Sequence, residues 1–229
     1  MNEHIVKSYE DELNTLTAEC TRMGGLTEAQ VADAISAVVR RNQEMATSVV
    51  SRDDKLDAVE LEIERKAIRL IALRQPLAND LRRTVAAMKI ANNLERCGDL
   101  AKNIAKRTLV IIESDPMTPL TRSLERLGKL VLTRLKSVLD AYSRSDLEGA
   151  LAVWSQDDEV DEHYNSLFRE LLTYMMGDPR TITACAHMLF VAKNLERIGD
   201  HATNIAEIVQ YEITGEEMIT ARPKTDALA

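Results

Sequence analysis

Glu95 and Asp99 stand four residues apart in an otherwise apolar stretch, and the pair returns as Glu196 and Asp200. Two further pairs keep the same spacing, Asp53 with Asp57 and Asp157 with Asp161. Residues i and i+4 share a helix face, so each pair sets two carboxylates side by side at about 6 Å. Like charges so placed destabilise a helix by about 0.3 kcal/mol a pair, and a bound cation removes that cost. Hard oxygen donors suit Mg²⁺, Ca²⁺, Mn²⁺ or iron better than thiol-seeking ions. A single acidic pair is more simply read as solvated surface. Recurrence of both pairs at matched positions favours a site made twice.

The recurrence is wider than the acids. Ala91–Ala105 and Ala192–Ala206 agree at eleven of fifteen positions, as A-x-N-L-E-R-x-G-D-x-A-x-N-I-A. A duplicated core would need only the apolar positions. At about 100° per residue, Ala87, Ile90, Ala91, Leu94, Cys97, Gly98, Ala101, Ile104 and Ala105 form one stripe. Glu95, Asp99 and Asn103 then fall about 100°, 140° and 180° from Leu94, as an oxygen-bearing ridge beside that stripe. Gly98 and the alanines leave room for a neighbouring helix. Asp53 and Asp57 lie at the edge of a second stripe, made of Leu56, Val59, Glu60, Ile63, Ala67 and Leu70. If the two helices pack side by side, four carboxylates in each half face one groove. Arg96 and Arg197 follow each Glu on the outer side and read as surface salt-bridge partners. His201, next to Asp200, points away from the ridge and is not read as a ligand.

Helices must position these groups, because nothing alternates with period two long enough for a strand. The expected fold is all-α: two tandem three-helix bundles related by the repeat, over residues 1–115 and 116–214, with a polar tail at 215–229. The helices are expected at about 4–40, 43–73 and 77–112, then at 119–143, 146–176 and 179–212. Gly24-Gly25 is expected to interrupt the first of them. Thr27-Glu28-Ala29-Gln30 and Ser145-Asp146-Leu147-Glu148 read as capping boxes. Pro76 and Pro179 suit first turns, the latter behind a capping Asp178. Asp115-Pro116-Met117-Thr118-Pro119 marks the boundary between halves. Matching Asp53 to Asp157 takes an offset of 104 residues, whereas the third helices take 101.

Composition narrows the function. The 229 residues carry a net charge of −8, which argues against a nucleic-acid partner. Cys20, Cys97 and Cys185 are odd in number and far apart, as expected of buried free thiols. The polar N-terminus and the lack of a long apolar run predict a soluble cytoplasmic chain. No Walker A loop, GxGxxG, GxSxG or His-Glu-x-x-His is present, so no nucleotide or nucleophile chemistry is signalled. The missing Glu-x-x-His speaks against a ferritin-like di-iron oxidase. A metal-dependent hydrolase or oxidase using the acidic grooves stays open as an alternative to a non-enzymatic role. Leu167, Phe168, Leu171, Leu172, Tyr174, Met175 and Met176 exceed what one bundle face needs to bury, and predict a homodimer.

From about Tyr9 to Thr214 the chain resembles the PhoU family of phosphate-signalling regulators. The most specific stretches are Gln75–Arg83 (QPLANDLRR), Asn93–Asp99 (NLERCGD) and Asn194–His201 (NLERIGDH). Cys97 departs from the pattern, standing where Ile198 stands in the second repeat, and so does Gly24-Gly25. The resemblance implies two three-helix bundles with a repeated acidic motif that maps onto Asp53/Asp57, Glu95/Asp99, Asp157/Asp161 and Glu196/Asp200. In some members that motif holds multinuclear clusters of divalent or trivalent metal ions, with iron, manganese, magnesium and zinc the candidates. The resemblance further implies a negative regulator of the phosphate-starvation response and of phosphate uptake. Its implied partners are the ATPase subunit of the phosphate ABC transporter and a sensor histidine kinase. Membrane association is implied only through those partners.

Overall fold

Two turns at matched positions show how the chain sets its helix ends. Asn42 and Asp146 each accept a hydrogen bond from the backbone N–H three residues on, Met45 at 2.9 Å and Gly149 at 3.0 Å. The residue before each, Arg41 or Ser145, takes a positive φ of 52° or 51° and closes the preceding helix in the left-handed region. The offset between these turns is the 104 residues seen in the sequence. The structure is a computed structural model that describes residues 2–115 and 117–218, with side chains from residue 10 onward. Among the described residues seven helices follow one another: α1 (Asn2–Arg40), α2 (Gln43–Arg74), α3 (Asn79–Ile111), α4 (Thr118–Arg144), α5 (Leu147–Trp154), α6 (Asp157–Gly177) and α7 (Ile182–Thr214). A 3₁₀ turn, Pro179–Thr181, leads into α7. Among the described residues there is no strand. The fold is the expected pair of three-helix bundles, with the third arm of the second bundle being α7 and its middle arm broken into α5 and α6.

That break corrects the helix expected over 146–176. It falls at Ser155-Gln156, immediately before Asp157, Asp158 and Glu159. Three acids in the first turn of α6 complement the positive end of its dipole, so a fresh start there is favoured. Gly24-Gly25 does not interrupt α1, which runs unbroken for 39 residues. Thr27-Glu28-Ala29-Gln30 is therefore mid-helix and caps nothing: Thr27 Oγ1 donates to the Met23 carbonyl, and Gln30 reaches across to α2. The cap before α5 is Asp146, not Ser145. Pro76 sits in the loop ahead of α3, whereas Asp178 does cap the Pro179 turn by accepting from Arg180 N–H at 3.0 Å. Pro116, in the expected boundary, and residues 219–229 of the expected tail lie outside the described residues.

The two halves pack on each other about an approximate two-fold axis. α3 and α7 run antiparallel: Lys89 lies over the Tyr211 ring, Asn93 meets His201 and Asn204, and Arg107 lies over Phe190. α1 packs on α4 by one contact made twice. A methyl group on Gly24 would sit 2.7 Å from Leu139, and one on Gly128 would sit 2.9 Å from Ile35. Leu139 is Ile35 advanced by the same 104 residues. α1, α3, α4 and α7 thus form the shared core, with α2 packed outside on α1 and α3 and α5–α6 outside on α4 and α7. That core is aliphatic, and Cys20, Cys97 and Cys185 are free thiols buried in it. The apolar surplus that predicted self-association is largely absorbed here. Leu167 and Leu171 are buried, and Phe168, Tyr174 and Met175 are half-buried. Leu172 and Met176 remain exposed.

Candidate metal-binding ridges

α3 buries every residue of the stripe from Ala87 to Ala105, so the ridge beside it is held at a fixed angle to α2. Gly98 makes the approach possible, because a methyl there would fall 2.3 Å from Leu56 Cδ2 and 3.7 Å from Asp53 Oδ1. The four acids of the first half then behave as one electrostatic group. Burial pushes the Asp57 carboxyl above the usual range, and the charges of Asp53 and Asp99 push it further. Glu95 is raised to about 7, first by burial and then, against the pull of Arg96, by Asp99 and Asp57. The charges of α2 and α3 thus reach one another pairwise, Asp57 with Asp53 and Asp99, and Glu95 with Asp99 and Asp57.

Asp53 is not at the edge of its stripe, as the spacing suggested, but 1% exposed within it. A buried charge needs partners. Gln30 Nε2 donates to its Oδ1 at 3.1 Å and Lys102 Nζ to its Oδ2 at 2.5 Å. Both partners went unread in the sequence, and the one available signal was that Lys102 stands where the second repeat has Thr203. Arg96 turns back onto the ridge, with Nε 3.4 Å from Glu95 and an η nitrogen 3.6 Å from Asp99. Asn103 is exposed.

The second ridge is deeper. Asp157 and Glu196 are buried, while Asp161 and Asp200 are half-buried. Thr203 Oγ1 donates to Asp157 at 2.7 Å, and Lys193 Nζ to Glu196 Oε1 at 2.7 Å. Glu196 Oε2 is buried and accepts no hydrogen bond. Its counterpart, Glu95 Oε2, is ion-paired with Arg96, and the Glu95 carboxyl also interacts with that of Asp99. His201 stays off the ridge, 2.9 Å from Asn93 across the seam.

Both ridges offer hard oxygen donors, and the second keeps one buried glutamate oxygen, Glu196 Oε2, without a hydrogen bond. Among the described residues, no three of these side chains converge closely enough to hold a metal ion as they stand. The donor set fits a cation in kind, not in the geometry of the side chains as they stand.

The chain is a duplicated three-helix bundle with an acidic ridge on each half. Residues 20–108 and 124–209 each match the PhoU domain, and the chain belongs to the PhoU family. It is 67% identical over 229 residues, all of both chains, to the phosphate-specific transport system accessory protein PhoU homolog of Caulobacter vibrioides. The Rhizobium meliloti homolog of the same name is 50% identical over 223 residues, covering 97% of this chain and 94% of that one. Among solved structures, the crystal structure of PhoU from Pseudomonas aeruginosa superposes with a TM-score of 0.88 at 37% identity, covering 91% of this chain and all of the other. The phosphate transport system regulatory protein PhoU from Streptococcus pneumoniae gives 0.85 at 29% identity, covering 92% and 99%. These relatives are named for an accessory or regulatory role and not for catalysis, in keeping with the non-enzymatic reading.

Proposed function

We propose that this chain is a negative regulator of the phosphate-starvation response and of phosphate uptake, acting as a metal-binding adaptor in the cytoplasm. The observation that carries the reading is full-length identity of 67% to a relative named as an accessory protein of phosphate-specific transport. The partners assigned to it are the ATPase subunit of the phosphate ABC transporter and a sensor histidine kinase. No helix among the described residues is long and apolar enough to cross a membrane, which agrees with membrane contact through those partners alone. Self-association into a homodimer belongs to the same reading and is checked by sedimentation of the whole chain. Deleting the gene and following a phosphate-starvation reporter in high phosphate tests the regulatory role. Derepression is expected, and unchanged repression defeats the reading.

The metal component rests on the two ridges, Asp53, Asp57, Glu95 and Asp99 in one and Asp157, Asp161, Glu196 and Asp200 in the other. A ligand that binds only the folded chain stabilises it by about 2.7 kcal/mol at a hundredfold excess over Kd. Iron, manganese, magnesium and zinc should be tried in turn. The double change Glu95→Gln with Asp99→Asn should remove the first ridge's share of the metal-dependent rise in melting temperature. Glu196→Gln with Asp200→Asn should remove the second's. Parental metal response in both variants means that the ridges are only a solvated surface.

A further inference from the structure

The chain turns back on itself where α7 ends. Gly215 takes a φ of 78° and donates to the Tyr211 carbonyl at 2.9 Å, a left-handed stop that lets the chain reverse. The Glu216 carbonyl then accepts from Gln210 Nε2 at 3.4 Å. Glu217 and Met218 come to lie beside the last turns of α7, at a hollow walled by Ile208 and Tyr211 on one side and by Val85, Ala86 and Lys89 of α3 on the other. A second hollow of about 310 Å³ continues from the first and shares Lys89 and Ile208 with it. It passes Met88, Asn92 and Asn93 and reaches Glu60 and Glu64 of α2. One groove therefore has the returning chain at one end and two acids at the other.

The acidic end is short of positive charge. Glu60 and Glu64 are half-buried. Burial, then the charges of Glu64 and Asp57, hold the Glu60 carboxyl above its usual range against the pull of Arg96. Lys89, between the two hollows, is turned to the Tyr211 ring, 5.9 Å from its centroid. Beyond Met218 the sequence runs Ile-Thr-Ala-Arg-Pro-Lys-Thr-Asp-Ala-Leu-Ala. Its two cations, Arg222 and Lys224, flank Pro223, which disfavours helix at Arg222 and favours extended chain. Two residues of extended chain span about 6.6 Å, close to the roughly 6 Å between residues four apart on a helix, such as Glu60 and Glu64. Arg222 stands four residues past Met218, a reach of about 13 Å, which suits passage from the first hollow into the second. The second half has no matching acids, since the positions 104 residues on from Glu60 and Glu64 are Tyr164 and Phe168.

We propose that residues 219–229 dock as an extended segment in the groove between α2, α3 and α7, with Arg222 and Lys224 paired to Glu60 and Glu64. The segment so placed straps the end of the second half onto the first bundle and covers Asn93, which meets His201 and Asn204 across the seam.

The test uses the full chain carrying Thr225→Cys, labelled with a nitroxide and followed by electron paramagnetic resonance at low salt in EDTA, which keeps any metal off the ridges. Cys20, Cys97 and Cys185 are buried, so the label goes to the introduced thiol. The spectrum should be dominated by a broad, immobilised component. Glu60→Gln with Glu64→Gln should abolish that component, and Arg222→Gln with Lys224→Gln should do the same. Raising NaCl to about 1 M should shrink it, because screening falls to about 3 Å. Exchanging the charges, Glu60→Lys and Glu64→Lys together with Arg222→Glu and Lys224→Glu, should bring it back. A narrow spectrum in the labelled parent overturns the proposal. So does a broad component that survives either neutralised pair, which means that the segment is held elsewhere, or an exchange of charges that fails to restore it.

Discussion

Glu95 holds its proton to about pH 7, well above the ordinary 4.5, because burial and its acidic neighbours oppose the charge. A carboxyl whose folded pKa is raised stabilises the fold fully below the unfolded value, and that contribution is lost as pH rises through the folded value. In the metal-free protein the Glu95 contribution should therefore fade between about pH 4.5 and pH 7. Arg96 and solvent screen the site, so the loss should amount to about 1 kcal/mol, not the full value of the shift. Melting curves in EDTA at pH 5 and pH 7.5 check this. Glu95→Gln should remove part of the difference, and a parental pH dependence in the variant would defeat the assignment. Glu212 is also raised to about 7, by burial opposed by Arg83, but it lies far along α7 from either ridge. Added Mn²⁺ should erase the Glu95 share and leave that of Glu212. The eight acids stood out as candidates because duplication marks positions that a core alone would not preserve, but the burial of Asp53, Asp157 and Glu196 did not. Lys102 and Gln30 were not, since a lysine or glutamine on a helix reads as surface until the buried partner across the groove is known.

At the scale of a helix, glycine has two opposite meanings here, and substitution separates them. A methyl on Gly98 would press into Leu56, whose side chain is 2% exposed in the core. Overpacking of that kind costs about 1–3 kcal/mol, so Gly98→Ala should lower the urea midpoint and should also weaken any metal response by parting α2 from α3. Gly25 has nothing within 4 Å of its would-be Cβ and lies exposed on α1. Gly25→Ala should raise stability by about 0.5–1 kcal/mol through backbone entropy. An unchanged or raised midpoint for Gly98→Ala would show that the spacing of α2 and α3 does not depend on Gly98. The dipeptide Gly24-Gly25 read as a helix break because glycine is a poor helix former. It is helical because Leu139 of α4 fills the space above Gly24, a tertiary reason that no local pattern carries. The division of α5 from α6 was equally hidden, since an acidic run marks a helix start only if the chain has already turned.

At the scale of the molecule, the duplication explains which faces are buried. Leu100 and Ala86 lie off the predicted stripe of α3, yet both are buried, because α7 covers a second side of that helix. The repeat was readable in the sequence; the packing of its two copies about an approximate two-fold axis was not, since each half alone accounts for a complete three-helix bundle. The reciprocal contacts Gly24 with Leu139 and Gly128 with Ile35 are one interface written twice. An interface of that kind is isologous, so the same patch can serve on two identical copies. Residues 1–115 expressed alone expose the faces of α1 and α3 that α4 and α7 cover in the whole chain. They should pair with a second copy through Gly24 and Ile35, and sedimentation equilibrium should give twice the fragment mass. Gly24→Leu in the fragment should break that pairing by filling the space the partner's Ile35 needs. A folded monomeric fragment, or a dimer indifferent to Gly24→Leu, would show that the two halves are held together by something other than their shared symmetry.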